Sequence, residues 1–370
     1  MNKQKETKKG EKTFNKQFLN RLARARTVDI DIDSFSKRCC YEVREVQKRV
    51  LILAGGGGHT SYAYALAQFL HKKVSLSFLV PDGDTLSKER LCKFGEVSFL
   101  TKPRGPKTPA HIFAVGLAKA FLGSIKQPFH DFDVVVSTGS NFCVFPAIIA
   151  WMRGIPVVNI ESEVRFTKAT KTARALQPFS TITALWWKEQ KRLLKGVVVG
   201  PILPKPTIEP QNRGYILVTG GTYGHRLLFD ALAESNLRNV VLQTGKVDPT
   251  PYKKRHPEWK VITLTPRFDK FLAGAELVVS QFGFTVLEAA VVYRKPVVLV
   301  PNPELTTIDR TGGVEDARYL ARKINAVMVS EIKTETLLDA IKEARKAKVP
   351  TLPNGTEKLA NMILALLRQT

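Results

Sequence analysis

Short runs of Val, Ile and Leu alternate with longer stretches of helical spacing from residue 49 onward. Read as strands, the runs fall at 50–54, 74–80, 97–100, 134–137, 157–160, 181–184 and 197–199. A second series follows at 216–219, 240–243, 261–264, 277–280, 297–300 and 326–329. These runs are short, mostly apolar and rich in Val and Ile. That is the pattern of strands buried on both faces, and with helices between them it predicts parallel sheets covered on each side. Between the two series lies a stretch with prolines at Pro201, Pro204, Pro206 and Pro210, which reads as a linker. The expected architecture is therefore α/β, with a basic extension at 1–48, one Rossmann-like domain at 49–203, a linker at 204–213 and a second such domain at 214–370. The last helices, at 334–346 and 357–368, fall in the second domain on this division.

Each domain opens in the same way. The first strand runs into Gly55-Gly-Gly-Gly-His-Thr60, and an alanine-rich helical stretch follows at 62–70. The second domain repeats the design with Thr219-Gly-Gly-Thr-Tyr-Gly-His225 and a helix from Arg226. Glycines let the backbone turn sharply and approach a ligand, and a helix N-terminus presents free N–H groups that suit an anion. Neither loop fits Gly-x-Gly-x-x-Gly with an acid about twenty residues on, nor the Gly-x-x-x-x-Gly-Lys-Ser/Thr of a P-loop. Two such domains build a cleft between them, with ligands at the carboxyl ends of the strands.

Charge narrows the partners. The 370 residues hold 57 Lys and Arg against 33 Asp and Glu, a net charge of +24. An anionic partner is implied: nucleic acid, an acidic bilayer surface or a phosphorylated ligand. No basic motif interleaved with aromatics supports nucleic acid, so none is expected as a partner. Residues 1–27 carry nine basic and two acidic side chains, and Phe14, Phe18 and Leu22 recur at four-residue spacing. The spacing fits a helix lying on an anionic bilayer, and equally a tail packed on the protein. The stretch 110–126 has little polar face, with Ile112, Phe113, Val115, Leu117, Phe121, Leu122 and Ile125, so it is either core or lipid-facing. No apolar run is long enough to span a bilayer, and the N-terminus lacks a secretory core, so a peripheral place on the cytoplasmic side of the membrane is expected. The four cysteines show no zinc spacing. Three Asp-x-Asp pairs, Asp29/Asp31, Asp82/Asp84 and Asp131/Asp133, lie in the first half and read as loop acids.

Three groups carry candidate chemistry. His59 sits at the first glycine turn, and an imidazole titrates near neutrality, about pKa 6.5, as a general base should. Glu161 and Arg165 follow the strand at 157–160, four residues apart, and form either a local ion pair or part of a site. In Ser280-Gln-Phe-Gly-Phe-Thr-Val-Leu-Glu288, Thr285 and Glu288 have capping-box spacing; alternatively, Glu288 faces the cleft as a carboxylate for ribose hydroxyls.

Several of these pieces resemble a known family. Gly55-Gly-Gly-Gly-His-Thr60, Ser137-Thr-Gly-Ser-Asn141, Asn159-Ile-Glu-Ser162 with Arg165, and Gly200-Pro-Ile resemble the membrane-side subunit of the eukaryotic two-subunit UDP-GlcNAc transferase, which elongates dolichyl-diphosphate-GlcNAc. Gly220-Gly-Thr-Tyr with Phe229-Asp230, and Ser280 through Pro301-Asn302, resemble its catalytic partner and the bacterial GlcNAc transferase that forms lipid II. The order is that of a single-chain fusion of archaeal type. Where those relatives carry His-Ala-Gly-x-Gly-Thr, this chain has Ser280-Gln-Phe-Gly-Phe-Thr285, and of their Asp-x-His-Gln run it keeps only Asp309.

The resemblance implies a GT-B fold and an inverting, UDP-GlcNAc-dependent transfer to a lipid-linked diphosphate acceptor, extending dolichyl- or polyprenyl-diphosphate-GlcNAc to a β-1,4-linked chitobiose core in N-glycan precursor assembly. It implies donor contacts at Gly220, Gly221, Thr222, Gly283, Phe284, Thr285, Glu288 and Asn302, and acceptor contacts at Gly57, Gly58, Thr60, Ser140, Asn141 and Arg165, with Lys168 beside them. His59 and Glu161 face the reacting centre; Glu161 either orients His59 or is itself the base. His225 either touches the donor phosphates or sits on a surface loop. No cofactor and no metal are expected, because helix N-termini and basic side chains stabilise a UDP leaving group. Two other readings stand beside this one: a transferase of the same fold using another UDP-sugar or a polyprenyl phosphate acceptor, and a non-enzymatic basic protein that binds membrane or nucleic acid.

Overall fold

The computed structural model describes residues 47–104, 110–304 and 313–369. The basic extension, its Phe14/Phe18/Leu22 pattern, Asp29, Asp31 and Asp309 lie outside the described residues. From Gln47 onward the chain forms one compact unit built on two parallel sheets.

The first sheet contains β1 (Arg49–Leu53), β2 (Ser75–Pro81), β3 (Gly95–Leu100), β4 (Val134–Ser137), β5 (Val157–Ile160), β6 (Ile182–Leu185) and β7 (Val197–Val198). Among the described residues its order is β3-β2-β1-β4-β5-β6-β7, all parallel. Helices α1 (Gly58–Leu70), α2 (Thr85–Leu91), α3 (Ala110–Ile125), α4 (Val144–Met152) and α5 (Lys171–Leu176) connect these strands. Val50 and Ile52 point into the layer that holds α1, whereas Leu51 and Leu53 join Ala147 and Ile149 of α4 on the opposite face. Alternation of side chains across a pleated strand produces that division, and it explains why β1 is apolar from Val50 to Leu53.

The second sheet contains β8 (Tyr215–Thr219), β9 (Val240–Gln243), β10 (Lys260–Ile262), β11 (Ala275–Gln281), β12 (Val297–Val300) and β13 (Val327–Met328), in the order β10-β9-β8-β11-β12-β13. Around it lie α6 (Arg226–Ala233), α7 (Thr250–Arg255), α8 (Asp269–Gly274), α9 (Phe284–Leu287), α10 (Gly313–Ile324) and α11 (Thr334–Ala344). Every strand expected from the apolar runs is present, with ends shifted by at most two residues.

The last helix, α12 (Thr356–Leu367), departs from the sequence division at 214–370. It packs against α1, and Leu359, Ala360, Ile363 and Leu367 enter the same buried core as Tyr62 and Leu66. Thr356 Oγ1 and Asn354 Nδ2 donate to the Leu203 carbonyl at 2.8 and 3.1 Å, and Lys358 Nζ donates to Val198 at 2.7 Å. An apolar stripe at helical spacing records that a face must be buried but not which sheet buries it. The chain therefore crosses between the domains twice. The first crossing, the linker, is held at its start by Gln68, whose amide exchanges hydrogen bonds with the Lys205 backbone. Near its end, Gln211 N–H donates to Ala273.

Helix α3 is not buried all round. Ile112, Val115, Phe121, Leu122 and Ile125 stand exposed on it, next to Trp151 and Met152 at the end of α4, with Leu122 58% and Met152 71% exposed. Phe121 and Phe145 meet edge to face at 5.5 Å, which ties the two helices into one surface. Exposed Lys119, Lys126 and Arg153 border it. Among the described residues no helix is long and apolar enough to cross a membrane.

Candidate active site

In the first sheet the strand order reverses between β1 and β4, and in the second between β8 and β11. Crevices at such reversals, outside the carboxyl ends of the strands, are the ligand sites of open α/β sheets. The two crevices face one another. Gly57 has φ 58°, and a Cβ there would lie 3.9 Å from Thr222 Oγ1 of the second glycine loop. A Cβ on Gly58 would lie 3.2 Å from Phe284 Cβ, so a side chain at 58 would have to displace the turn after β11. Phe284 crosses to the first domain, where its ring packs on Tyr62 at 5.6 Å and Trp186 at 6.5 Å.

His59 stands in the first turn of α1, between the ends of β1 and β4. Its Nδ1 lies 2.6 Å from the Thr138 carbonyl oxygen. A carbonyl can only accept, so Nδ1 carries the proton, and in the neutral ring the Nε2 lone pair is free to take one. Nε2 has no hydrogen-bond partner among the described residues. Burial and the positive charges of Lys102 and Arg165 lower the imidazole to about 4, against the opposing pull of the Thr138 bond. The ring is neutral at pH 7. Tyr62 packs against its edge at 5.5 Å, and the Tyr62 hydroxyl donates to Glu163.

Glu161 is placed differently from either role expected of it. Oε1 accepts from Ser162 N–H at 2.6 Å and Oε2 from Thr170 N–H at 2.9 Å. The side chain is fully buried, and burial raises its pKa. It shapes its own loop, and His59 takes its orientation from Thr138 instead. The Arg165 guanidinium lies 3.8 Å from Asp316, which belongs to α10 of the second domain, and its charge also acts on the Glu161 carboxyl. Lys168 is exposed.

The remaining residues expected to contact an acceptor lie around the first glycine loop and the turn after β4. Ser140 caps the turn after β4 through Phe142 N–H, and Asn141 Nδ2 donates to Arg104 O at 3.3 Å. Thr60 Oγ1 lies 2.7 Å from Ser87 Oγ, facing α2 rather than the crevice. Thr138 Oγ1 donates to Leu53 O and accepts from Gly55 N–H, stapling β4 to the glycine turn. Lys102, part of the basic turn after β3, donates to Gly55 O at 2.8 Å, and burial lowers its amine. It brings a cation to the glycine loop. Its position right after a strand's carboxyl end was the available sequence signal.

On the donor side, Gly220, Gly221 and Thr222 form the turn after β8, with Gly221 N–H donating to Thr219 Oγ1 at 3.1 Å. Asn302 is buried beneath it. Its Nδ2 donates to Gly224 O at 3.1 Å and to Gln281 Oε1 at 2.9 Å, so it braces the loop from below. Gly283 is the N-cap of α9, and Thr285 lies inside the first turn, so the capping box expected of Thr285 and Glu288 is not formed. Glu288 instead opens a π turn, Glu288–Val292. Burial pushes its carboxyl up to about 7, opposed by Arg90 of the first domain.

His225 is neither a surface residue nor a phosphate contact. It is fully buried, its Nδ1 accepts from Leu228 N–H as the N-cap of α6, and its Nε2 lies 3.1 Å from the Pro301 carbonyl. Those partners fix the neutral tautomer, and burial lowers the ring to about 4. Of the Asp-x-Asp pairs, Asp84 caps α2, Asp82 accepts from Thr101, and Asp131 and Asp133 pair with Arg49 and Lys48.

Comparison with known proteins agrees with this architecture. Residues 215–363 match the glycosyltransferase family 28 C-terminal domain. The chain is similar to the UDP-N-acetylglucosamine–N-acetylmuramyl-(pentapeptide) pyrophosphoryl-undecaprenol N-acetylglucosamine transferases of Salinibacter ruber and Trichodesmium erythraeum. The first is 27% identical over 63% of this chain and 72% of the relative. The second is 26% identical over 73% and 78%. Among solved structures, the MurG of Acinetobacter baumannii superposes with a TM-score of 0.59 at 19% identity, over 86% of this chain and 99% of that one. A UDP-GlcNAc 2-epimerase of Neisseria meningitidis bound to UDP-GlcNAc gives 0.57 at 14%, over 87% and 100%. The fold is GT-B, and the chain is an enzyme related to these bacterial transferases.

The buried His225 makes stability depend on pH. Its pKa is lower folded than unfolded, so its contribution is complete above about 6.5 and is lost as pH falls towards 4. Urea unfolding between pH 7 and 4.5 should show a loss of up to about 3 kcal/mol from this group. His225→Asn, which can still cap α6, should flatten that slope; an unchanged slope would show that the ring does not titrate as its burial requires.

Proposed function

We propose that this relative of the bacterial family 28 transferases is an inverting glycosyltransferase that moves GlcNAc from UDP-GlcNAc to a polyprenyl- or dolichyl-diphosphate-linked GlcNAc, forming a β-1,4 bond. One observation carries the mechanism: His59 is held as the Nδ1–H tautomer by Thr138, its Nε2 has no hydrogen-bond partner among the described residues, and it stands on the glycine loop that approaches Thr222 of the second.

Inversion needs a single displacement. The acceptor hydroxyl attacks the anomeric carbon, the bond to UDP breaks, and Nε2 takes the hydroxyl proton. An imidazole lowered to about 4 is neutral but weakly basic. Bound diphosphates offset the charges of Lys102 and Arg165, so substrate raises the basicity of His59 when it is needed. UDP lies against Gly220, Gly221 and Thr222, with its ribose at Glu288, and the leaving phosphate draws on Lys102. Arg165 faces the acceptor diphosphate. The GlcNAc acceptor is favoured by the Gly-Gly-His-Thr and Ile-Glu-Ser-x-x-Arg pieces, which resemble those of the eukaryotic membrane-side subunit.

A lipid-linked acceptor requires a bilayer within reach. The exposed apolar face of α3 and the end of α4, bordered by Lys119, Lys126 and Arg153, has the composition of a surface that lies in the headgroup layer of an anionic membrane. The enzyme is accordingly peripheral, on the cytoplasmic leaflet where UDP-sugars are found.

Mass spectrometry of acceptor lipids incubated with UDP-sugars tests the reading. Polyprenyl-diphosphate-GlcNAc should gain one GlcNAc, whereas gain on the muramyl-pentapeptide lipid alone, or on a polyprenyl phosphate, would replace the proposed acceptor. His59→Ala should lower kcat at least about 10²-fold with the fold intact; unchanged turnover would remove His59 from the mechanism. Leu122→Ser with Met152→Ser should weaken binding to phosphatidylglycerol vesicles about tenfold or more, since each buried apolar side chain is worth roughly 1.5–3 kcal/mol. Binding that survives both changes would place the membrane contact elsewhere.

A further inference from the structure

The acceptor-side loop is tied to the donor domain by a buried carboxylate. Asp316, in the first turn of α10, is fully buried. Its Oδ1 accepts from the backbone N–H groups of Phe166 and Thr167 at 3.0 and 2.8 Å, and its Oδ2 lies 3.8 Å from Arg165. Packing on either side fixes the same joint. The Phe166 ring stacks between Trp187 of the first domain at 5.8 Å and Tyr319 of α10 at 5.4 Å. Lys323, further along α10, pairs with Glu189 at 2.7 Å.

The rest of the loop is braced from its own domain. Glu161 holds Ser162 and Thr170, and Gln190 Nε2 donates to the carbonyls of Ser162 and Arg165. Arg192 donates to the Phe166 carbonyl at 2.9 Å. The carbonyls at 165 and 166 are therefore anchored from within the first domain, whereas the amides at 166 and 167 are anchored from the second. A carboxylate that receives two amide hydrogens sets direction as well as distance, and such charge-assisted bonds are stronger than neutral ones.

We infer that Asp316 is a positioning residue for the acceptor: by holding the Phe166 and Thr167 amides from the donor domain, it sets Arg165 for the acceptor diphosphate only when the two domains are docked. The inference rests on the acceptor role given to Arg165 above. Binding of the sugar nucleotide to the second domain thereby becomes linked to the shape of the acceptor site on the first, with no contact between the two substrates required.

Two variants and two readouts test it. Asp316→Ala should raise the KM for polyprenyl-diphosphate-GlcNAc roughly tenfold or more while leaving the Kd for UDP within about twofold, and Asp316→Asn, which keeps an oxygen for both amides, should recover most of the loss. Equal shifts in both constants, or none in either, would overturn the assignment. Hydrogen exchange of peptides covering 162–170, with and without UDP, needs no acceptor. There, faster exchange at Phe166 and Thr167 in Asp316→Ala, absent in Asp316→Asn, supports the tether, and unchanged exchange refutes it. If the wild type elongates no lipid acceptor, the functional reading fails, and this second readout still decides the tether.

Discussion

The hydrogen bond from His59 Nδ1–H to the Thr138 carbonyl is the constraint on which the proposed chemistry depends. It spans two elements far apart in sequence, the turn after β1 and the turn after β4, and it exists because those strands are neighbours where the sheet reverses direction. The same Thr138 staples the glycine turn through its hydroxyl. Backbone and side chain of one residue thus set both the path of the loop and the tautomer of the ring upon it. The Thr138 carbonyl orients the ring as a carboxylate often orients a catalytic histidine, with one difference. It orients the ring without adding a negative charge, so no counter-charge at Nδ1 opposes the burial that keeps the imidazole neutral with Nε2 unprotonated.

Around that bond, close approach between the domains is bought with glycine on one side and an aromatic ring on the other. Gly57 and Gly58 leave room for Thr222 and Phe284, and Phe284 fills the space against Tyr62 and Trp186. A continuous buried core then runs from β1 through Phe284 into the second domain, and α12 returns to close it from behind. The crevice has walls from both domains, so the two glycine loops, proposed to hold donor and acceptor, are positioned by one packing arrangement.

Much of this was legible in the sequence, for identifiable reasons. Strands near the middle of each sheet, buried on both faces, read as short runs rich in Val and Ile, and the edge strands were readable from the same alternation with helices. Glycine loops at strand ends mark the crevices. What escaped was decided by long-range partners. His225 reads as a loop histidine until Pro301 and Leu228 are seen to bury it. Thr285 and Glu288 have capping spacing, but Gly283 takes the cap and a π turn follows. Glu161 follows a strand's carboxyl end, where a base or a partner for His59 is expected, yet its oxygens accept from amides one and nine residues away. Asp316 carries no local signal at all, because its partners lie about 150 positions earlier. Spacing reveals which residues can share a face; it does not reveal which groups have already been satisfied.

Nitrogen-15 NMR of His59 bears most directly on the central claim. The account predicts a neutral ring protonated at Nδ1, titrating near 4 in the free protein and moving upward when UDP is added. A ring protonated at Nε2, or a midpoint at the ordinary value of about 6.5 that UDP leaves unmoved, would contradict it.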